Sequence, residues 1–94
     1  MAIRVRPNAD VVDTEIDNSE VALLHLATKT YFSLNATGAR IWALMKEGLA
    51  TDAIALQVQR EFGIDAARAQ RSVERLVEHL LANRLVDQGG RELE

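Results

Sequence analysis

The period of the apolar residues changes once in this chain, at Asn35, and that change restricts the fold to a sheet followed by helices. Before Asn35, short β-branched or alternating runs are separated by turns. Residues 11–16 are followed by Asp17-Asn18-Ser19, residues 20–26 by Ala27-Thr28-Lys29, and Thr30–Leu34 closes the series. Connections this short predict an antiparallel meander. In the third run, Phe32 and Leu34 share one face, and Tyr31 and Ser33 share the other. After Asn35 the spacing becomes helical. Asn35 suits an N-cap, because its side chain accepts from an orphan amide one turn in. Ile41, Leu44 and Met45 then line one face with Trp42 beside them, and Gly48 fits a C′ position. Thr51 is expected to cap a second helix, with Ile54, Ala55, Val58 and Phe62 at 3.6 spacing and Gly63 at its end. Asp65 caps the third and longest helix, which carries Val73, Leu76, Val77, Leu80 and Leu81. Leu85 and Val86 are expected to pack back as a short extended end, with a frayed tail from Gln88 onward.

A three-stranded sheet with one apolar face is not stable alone. The helices must cover it, which gives an α+β fold: an N-terminal three-stranded antiparallel sheet followed by three helices. One domain spans residues 1–94, with an ordered core at about 11–86. A chain of 94 residues and −3 net charge buries about two-thirds of its unfolded surface, enough for one core but not a deep cofactor cavity. Gly38 lets the first helix approach the sheet, and Trp42 reads as core.

Several function classes fall away. There is no cysteine, so disulfides, thiolate nucleophiles and zinc ribbons are excluded. The two histidines cannot form a histidine-rich metal site. His25 sits in an apolar run and reads as structural, and His79 reads as an exposed helix residue. Asp10, Asp13, Glu15, Asp17 and Glu20 read as a solvated acidic edge, because no calcium-loop spacing accompanies them. No nucleophile–base pair or glycine-rich phosphate loop is present, so no catalytic residue, cofactor or metal is expected. Nothing resembles a signal peptide or a run of 18 apolar residues, which points to a cytoplasmic protein that does not enter membranes.

Two features remain. On the third helix, Arg68, Arg71, Arg75 and His79 fall at i, i+3, i+7 and i+11, with Glu74 and Glu78 alongside. The stripe is a solvated face, a phosphate contact in a helix-turn-helix, or a contact with an acidic or polar peptide. The other feature is the third strand. By meander order it is an edge, yet Thr30–Leu34 holds no proline, lysine or bulge to blunt it. An edge of this kind is either covered or used, and using it means accepting a strand from a partner.

The residues Tyr31-Phe32-Ser33-Leu34-Asn35-Ala36-Thr37-Gly38-Ala39-Arg40-Ile41-Trp42, followed by Gly48, resemble the PqqD family of peptide-recognition elements. The motif there reads Tyr-Phe-x-Leu-Asn-x-Thr-Gly-Ala-x-x-Ile-Trp, and this chain has one residue fewer between Ala39 and Ile41. The likeness covers about residues 11–86 and is greatest to the stand-alone leader-binding proteins of lasso-peptide clusters. The resemblance implies a winged-helix-like fold without catalytic activity. It implies that the leader of a ribosomal precursor peptide binds as an added strand along Thr30, Tyr31, Phe32, Ser33 and Leu34. The helix side of the groove would be Arg68, Arg71, Arg75, Leu76, His79 and Leu80. The partner that receives the peptide would be a leader protease or another maturation enzyme, such as a radical SAM enzyme.

The competing reading is a winged-helix DNA-binding regulator. It demands a basic recognition helix with few acids, whereas Glu74 and Glu78 flank the arginines and the chain is acidic, so no nucleic-acid partner is expected. A small enzyme ranks third, since the residues it needs are missing. An open strand edge permits either a monomer or a domain-swapped dimer.

Overall fold

The computed structural model describes residues 3–17 and 20–88. The elements run β1 (Val5–Pro7), β2 (Val11–Asp17), β3 (Glu20–His25), β4 (Thr30–Leu34), α1 (Ala36–Lys46), α2 (Thr51–Phe62), α3 (Ala66–Ala82) and β5 (Val86–Gln88). The expected α+β order of sheet then helices is present. β2, β3 and β4 form the antiparallel meander, in that spatial order. The turn expected at Asp17-Asn18-Ser19 lies outside the described residues apart from Asp17. The tail from Gly89 lies outside them too, and Gln88 ends β5.

Two short strands join the expected three. β1 pairs antiparallel with β5, Val5 opposite Gln88 and Pro7 opposite Val86. The expected extended end is therefore a paired strand from Val86 onward, with Leu85 in the bend before it, and both side chains are buried. The ordered core starts earlier than residue 11, because Val5 is buried in it and Ile3 packs against it.

The inner face of the meander packs against α1. Leu23 and Leu34 meet Ile41, Trp42, Leu44 and Met45, and this layer continues into Ile54 and Val58 of α2 and Val73, Val77 and Leu80 of α3. Asn35 caps α1 as expected, its Oδ1 accepting from the Gly38 amide at 2.9 Å. Asp65 caps α3 in the same way, accepting from the Arg68 amide at 2.8 Å. Gly48 and Gly63 take the left-handed conformation, with φ of 93° and 67°, where a side chain would be strained. A Cβ on Gly38 would lie 3.3 Å from Leu34 Cβ, so the close approach of α1 to β4 depends on its absence.

Three expectations are corrected. Thr51 does not cap α2. Ala50 holds the cap position without a side-chain bond, and Thr51 is a buried first-turn residue whose Oγ1 accepts from the Ile3 amide at 3.1 Å. Its backbone amide donates to the Ile3 carbonyl at 2.8 Å, so the hydroxyl anchors the segment before β1. Phe62 leaves the core stripe at the last turn of α2 and is exposed. Asp13 is not part of a solvated edge. It lies on the inner face of β2, where its Oδ2 accepts from Trp42 Nε1 at 2.6 Å and from Lys46 Nζ at 2.7 Å. These two donors, Lys46 first, hold its carboxyl below the usual range.

A candidate peptide-binding groove beside an open strand edge

β4 pairs with β3 on one side only, and the hydrogen-bond register fixes what its other side offers. The Leu26 amide donates to the Asp10 carbonyl at 2.8 Å, in the register that places Val11 opposite His25. The amides of Leu24 and Ala22 therefore also face β2, while those of His25, Leu23 and Val21 face β4. Their partners Thr30, Phe32 and Leu34 return those bonds. The backbone N–H and C=O groups of Tyr31 and Ser33 consequently point away from the sheet, toward the open side. Of the five residues expected to supply a ladder, these two present their main chain outward.

The start of β4 is set by a side chain. His25 is buried, and its Nδ1 accepts from the amides of Ala27 at 3.3 Å and Thr28 at 3.4 Å. The Lys29 amide donates to the His25 carbonyl at 2.8 Å, with Lys29 at a positive φ of 63°. His25 thus has the structural role expected of it, as the internal acceptor of the β3–β4 turn.

The two edges of the meander differ. β2 carries Asp13, Glu15 and Asp17 and has a register break between Glu15 and Asp17, both devices that discourage strand addition. β4 carries neither. Its inward side chains descend toward α3, where the Phe32 ring meets His79 edge-on, with centroids 6.2 Å apart and planes at 85°.

Next to this contact lies a groove of about 530 Å³. Thr37 and Ile41 of α1 form one wall. Phe62 and Ile64 form the end at the α2–α3 turn, and Arg68, Ser72, Arg75, Leu76 and His79 of α3 form the other wall. Of the expected helix residues, Arg68, Arg75, Leu76 and His79 share this groove, and His79 is the one in contact with Phe32 of β4. Arg71 is exposed but does not line the groove, because it lies about 60° around the helix from Arg68. Leu80 does not belong to the groove surface either. It is fully buried, on the α3 face that packs into the core with Val73 and Val77. Thr37, Ile41, Phe62 and Ile64 were not anticipated as lining residues. They come from three separate elements, so no single periodicity marks them.

The groove wall is basic and no carboxylate lines it. The ion pairs among the described residues are Arg40–Glu61 and Lys46–Asp13, which leaves Arg68 and Arg75 without an ion-pair partner there. A larger hollow of about 700 Å³ lies between α1 and β2. Four of its charges are committed to one another, Asp13 to Lys46 and Arg40 to both Glu61 oxygens at 2.8 Å, and the other two, Glu15 and Glu47, are acidic. The edge beside it is the charged, bulged β2, so it lacks the unpaired, unblunted strand and the basic wall that mark the α3 groove as a candidate site. The described residues contain no cluster of metal-ligating side chains and no helix long and apolar enough to cross a membrane.

The family described as Coenzyme PQQ synthesis protein D (PqqD) matches residues 20–86, from β3 through the first residue of β5. Among solved structures, the chain is similar to TbiB1 in complex with the TbiA(beta) leader peptide. The identity is 34%, over 93% of this chain and 99% of that one, with a TM-score of 0.82. It shares its fold with lasso peptide synthetase B1 complexed with the leader peptide, at 23% identity over 88% of this chain and 96% of that one, with a TM-score of 0.80. No curated protein sequence matches the chain.

Proposed function

Because the chain belongs to the PqqD family, we propose that it is a non-catalytic adaptor that binds the leader segment of a ribosomal precursor peptide and delivers it to a processing enzyme, a lasso-peptide leader protease. The observation that carries this reading is the open β4 edge. Tyr31 and Ser33 aim their main-chain groups at the place where a strand would add, and the basic groove of α3 is reached from the same strand through the Phe32–His79 contact. Both structural relatives were solved with a leader peptide, which supports the same use here.

The physical chemistry suits reversible capture. An extended segment of five or six residues gains main-chain bonds from Tyr31 and Ser33. Alternate side chains then point into the groove, where Phe62, Ile64 and Leu76 offer apolar contact and Arg68 and Arg75 offer charge-assisted bonds. The expected affinity is roughly −8 to −10 kcal/mol, near micromolar or tighter. Titration of a labelled leader from the neighbouring precursor gene tests the proposal. Saturable binding without metal or cofactor supports it, and no saturation at high micromolar protein overturns it.

A further inference from the structure

The α1–β2 hollow and the α3 groove have opposite charge and share a residue. Phe62, 40% exposed at the end of α2, lines both. Val21, Ala39 and Ala43 give the hollow an apolar floor, and its charged lining is four acids and two bases. Lys46 is held by Asp13, and Arg40 gives its fork to Glu61, with a weaker, longer-range attraction to Glu47. Glu15 and Glu47 are exposed and take part in no ion pair among the described residues. Glu47 caps the C-terminal end of α1, where the helix dipole adds to its negative charge.

The direction of an added strand decides which part of a leader comes near. Every pair in this meander is antiparallel, and antiparallel pairing is the more stable per residue. A leader added to β4 in that sense runs from Leu34 toward Thr30, so the residues before its paired segment leave the sheet at Leu34. Glu15, Val21 and Leu34 form one cross-strand row. The hollow therefore reaches the same end of the sheet, with the exposed first residue of α1, Ala36, in its lining.

Length and charge fit one occupant. Ala36, Ala39, Ala43 and Glu47 fall on one face of α1 at i, i+3, i+7 and i+11, a span of about 16 Å, which about five extended residues cover. The α3 groove favours acidic or polar side chains, whereas the hollow favours positive ones. The basic wall of α3 itself reaches the hollow only from a second copy. That contact is heterologous, extends into open chains and buries the leader groove.

We propose that the α1–β2 hollow is a second subsite for the precursor, holding the N-terminal flank of the leader: about five residues that bring an α-ammonium group or lysine and arginine side chains to Glu15 and Glu47 over an apolar contact with Phe62. The inference rests on the adaptor reading above. It makes the leader bipolar, with acidic or polar groups at the α3 groove and positive charge upstream. It also fixes the direction of the added strand, since a parallel strand brings the other flank to this hollow.

The experiment titrates the leader of the neighbouring precursor, whole and in nested truncations from either end, against wild type, Glu15→Gln/Glu47→Gln and Glu15→Lys/Glu47→Lys. Thermal midpoints report folding of each protein. The lysine variant should bind whole leader at least about fivefold more weakly than wild type, the scale of two exposed ion pairs, with the glutamine variant between. Removing the N-terminal flank should weaken binding to wild type by a similar factor and make all three proteins bind alike. The difference should fade at 1 M salt, where screening acts within about 3 Å. Whole leader that binds all three proteins alike overturns the inference, as does a C-terminal flank that carries the difference instead. A lysine variant that keeps leader affinity and loses the protease gives the hollow to the enzyme and overturns it too. In these cases the adaptor reading stands; it falls if whole leader fails to bind the wild type.

Discussion

Trp42 and Asp13 are joined across the sheet–helix interface by a 2.6 Å bond from indole Nε1 to carboxylate Oδ2. The indole is buried, and this carboxylate is the acceptor its N–H uses. Lys46, one turn further along α1, reaches the same oxygen at 2.7 Å. A single carboxylate on β2 therefore orients α1, and α1 in turn backs the sheet that carries β4.

Removing that carboxylate should destabilise the fold. Asp13→Ala leaves a buried donor unpaired, at an expected cost of about 1–3 kcal/mol. Asp13→Asn keeps an acceptor for the indole and should cost less. Denaturant unfolding of the two variants checks the order.

Gly38 offers a second test of the same interface. A side chain there meets Leu34 Cβ at 3.3 Å and Asn35 Oδ1 at 3.4 Å, neither of which yields easily. Gly38→Val should lower stability by about 1–3 kcal/mol through overpacking, and it should weaken leader binding because Leu34 ends β4. Unfolding midpoints and leader titrations on one preparation measure both effects.

Ser33→Pro separates folding from binding. The Ser33 amide faces the open edge, so proline removes no bond within the sheet, and edge positions accept it. The protein should stay folded while leader affinity falls at least tenfold, about 1.4 kcal/mol. A well-folded variant with unchanged affinity would count against strand addition at β4.

Arg75→Glu tests the groove wall. If its guanidinium meets a carboxylate or polar group of the leader, reversal should weaken binding by about 1–2 kcal/mol. The wild-type protein should show no selective binding to duplex DNA at 150 mM salt, where phosphate-driven binding weakens steeply. Fluorescence anisotropy with labelled leader and labelled duplex measures both.

Acid should loosen the α1–α2 contact. The fork from Arg40, helped by Gln57, lowers the Glu61 carboxyl from 4.5 to about 2. Its proton is bound more weakly in the folded protein than in the unfolded chain. The stabilisation is therefore complete above about 4.5 and drains away as the pH falls toward 2. Glu61→Gln should flatten that part of a stability–pH curve. The exposure of the pair keeps the effect small, so thermal midpoints at closely spaced pH values are the suitable measurement.

Local chemistry in the sequence reached far. Asn35 and Asp65 cap their helices, Gly48 and Gly63 end theirs, and the bare character of Thr30–Leu34 is visible without coordinates. The misses arose wherever the deciding partner is distant in sequence. Asp13 looks like one acid among five until Trp42 and Lys46 are placed above it. Thr51 looks like a cap until Ile3 arrives to use its hydroxyl. β1 is three residues long and has no neighbour in sequence to pair with. On α3, a stripe of charged residues marks the groove side, yet Arg71 and Leu80 differ from the lining residues only by rotation about the helix. That rotation is set by packing against α2 and the core.

The β1–β5 pair also bears on how the chain folds. Asn8 and Asp87, which meet beside it, are 79 positions apart, whereas the meander and the α2–α3 hairpin close over short loops. Long-range closure carries the larger entropic cost and is slow to be repaid. β1 and β5 should therefore dock last, onto a body whose peptide edge is already formed, and they should be the first elements to exchange their amides with solvent.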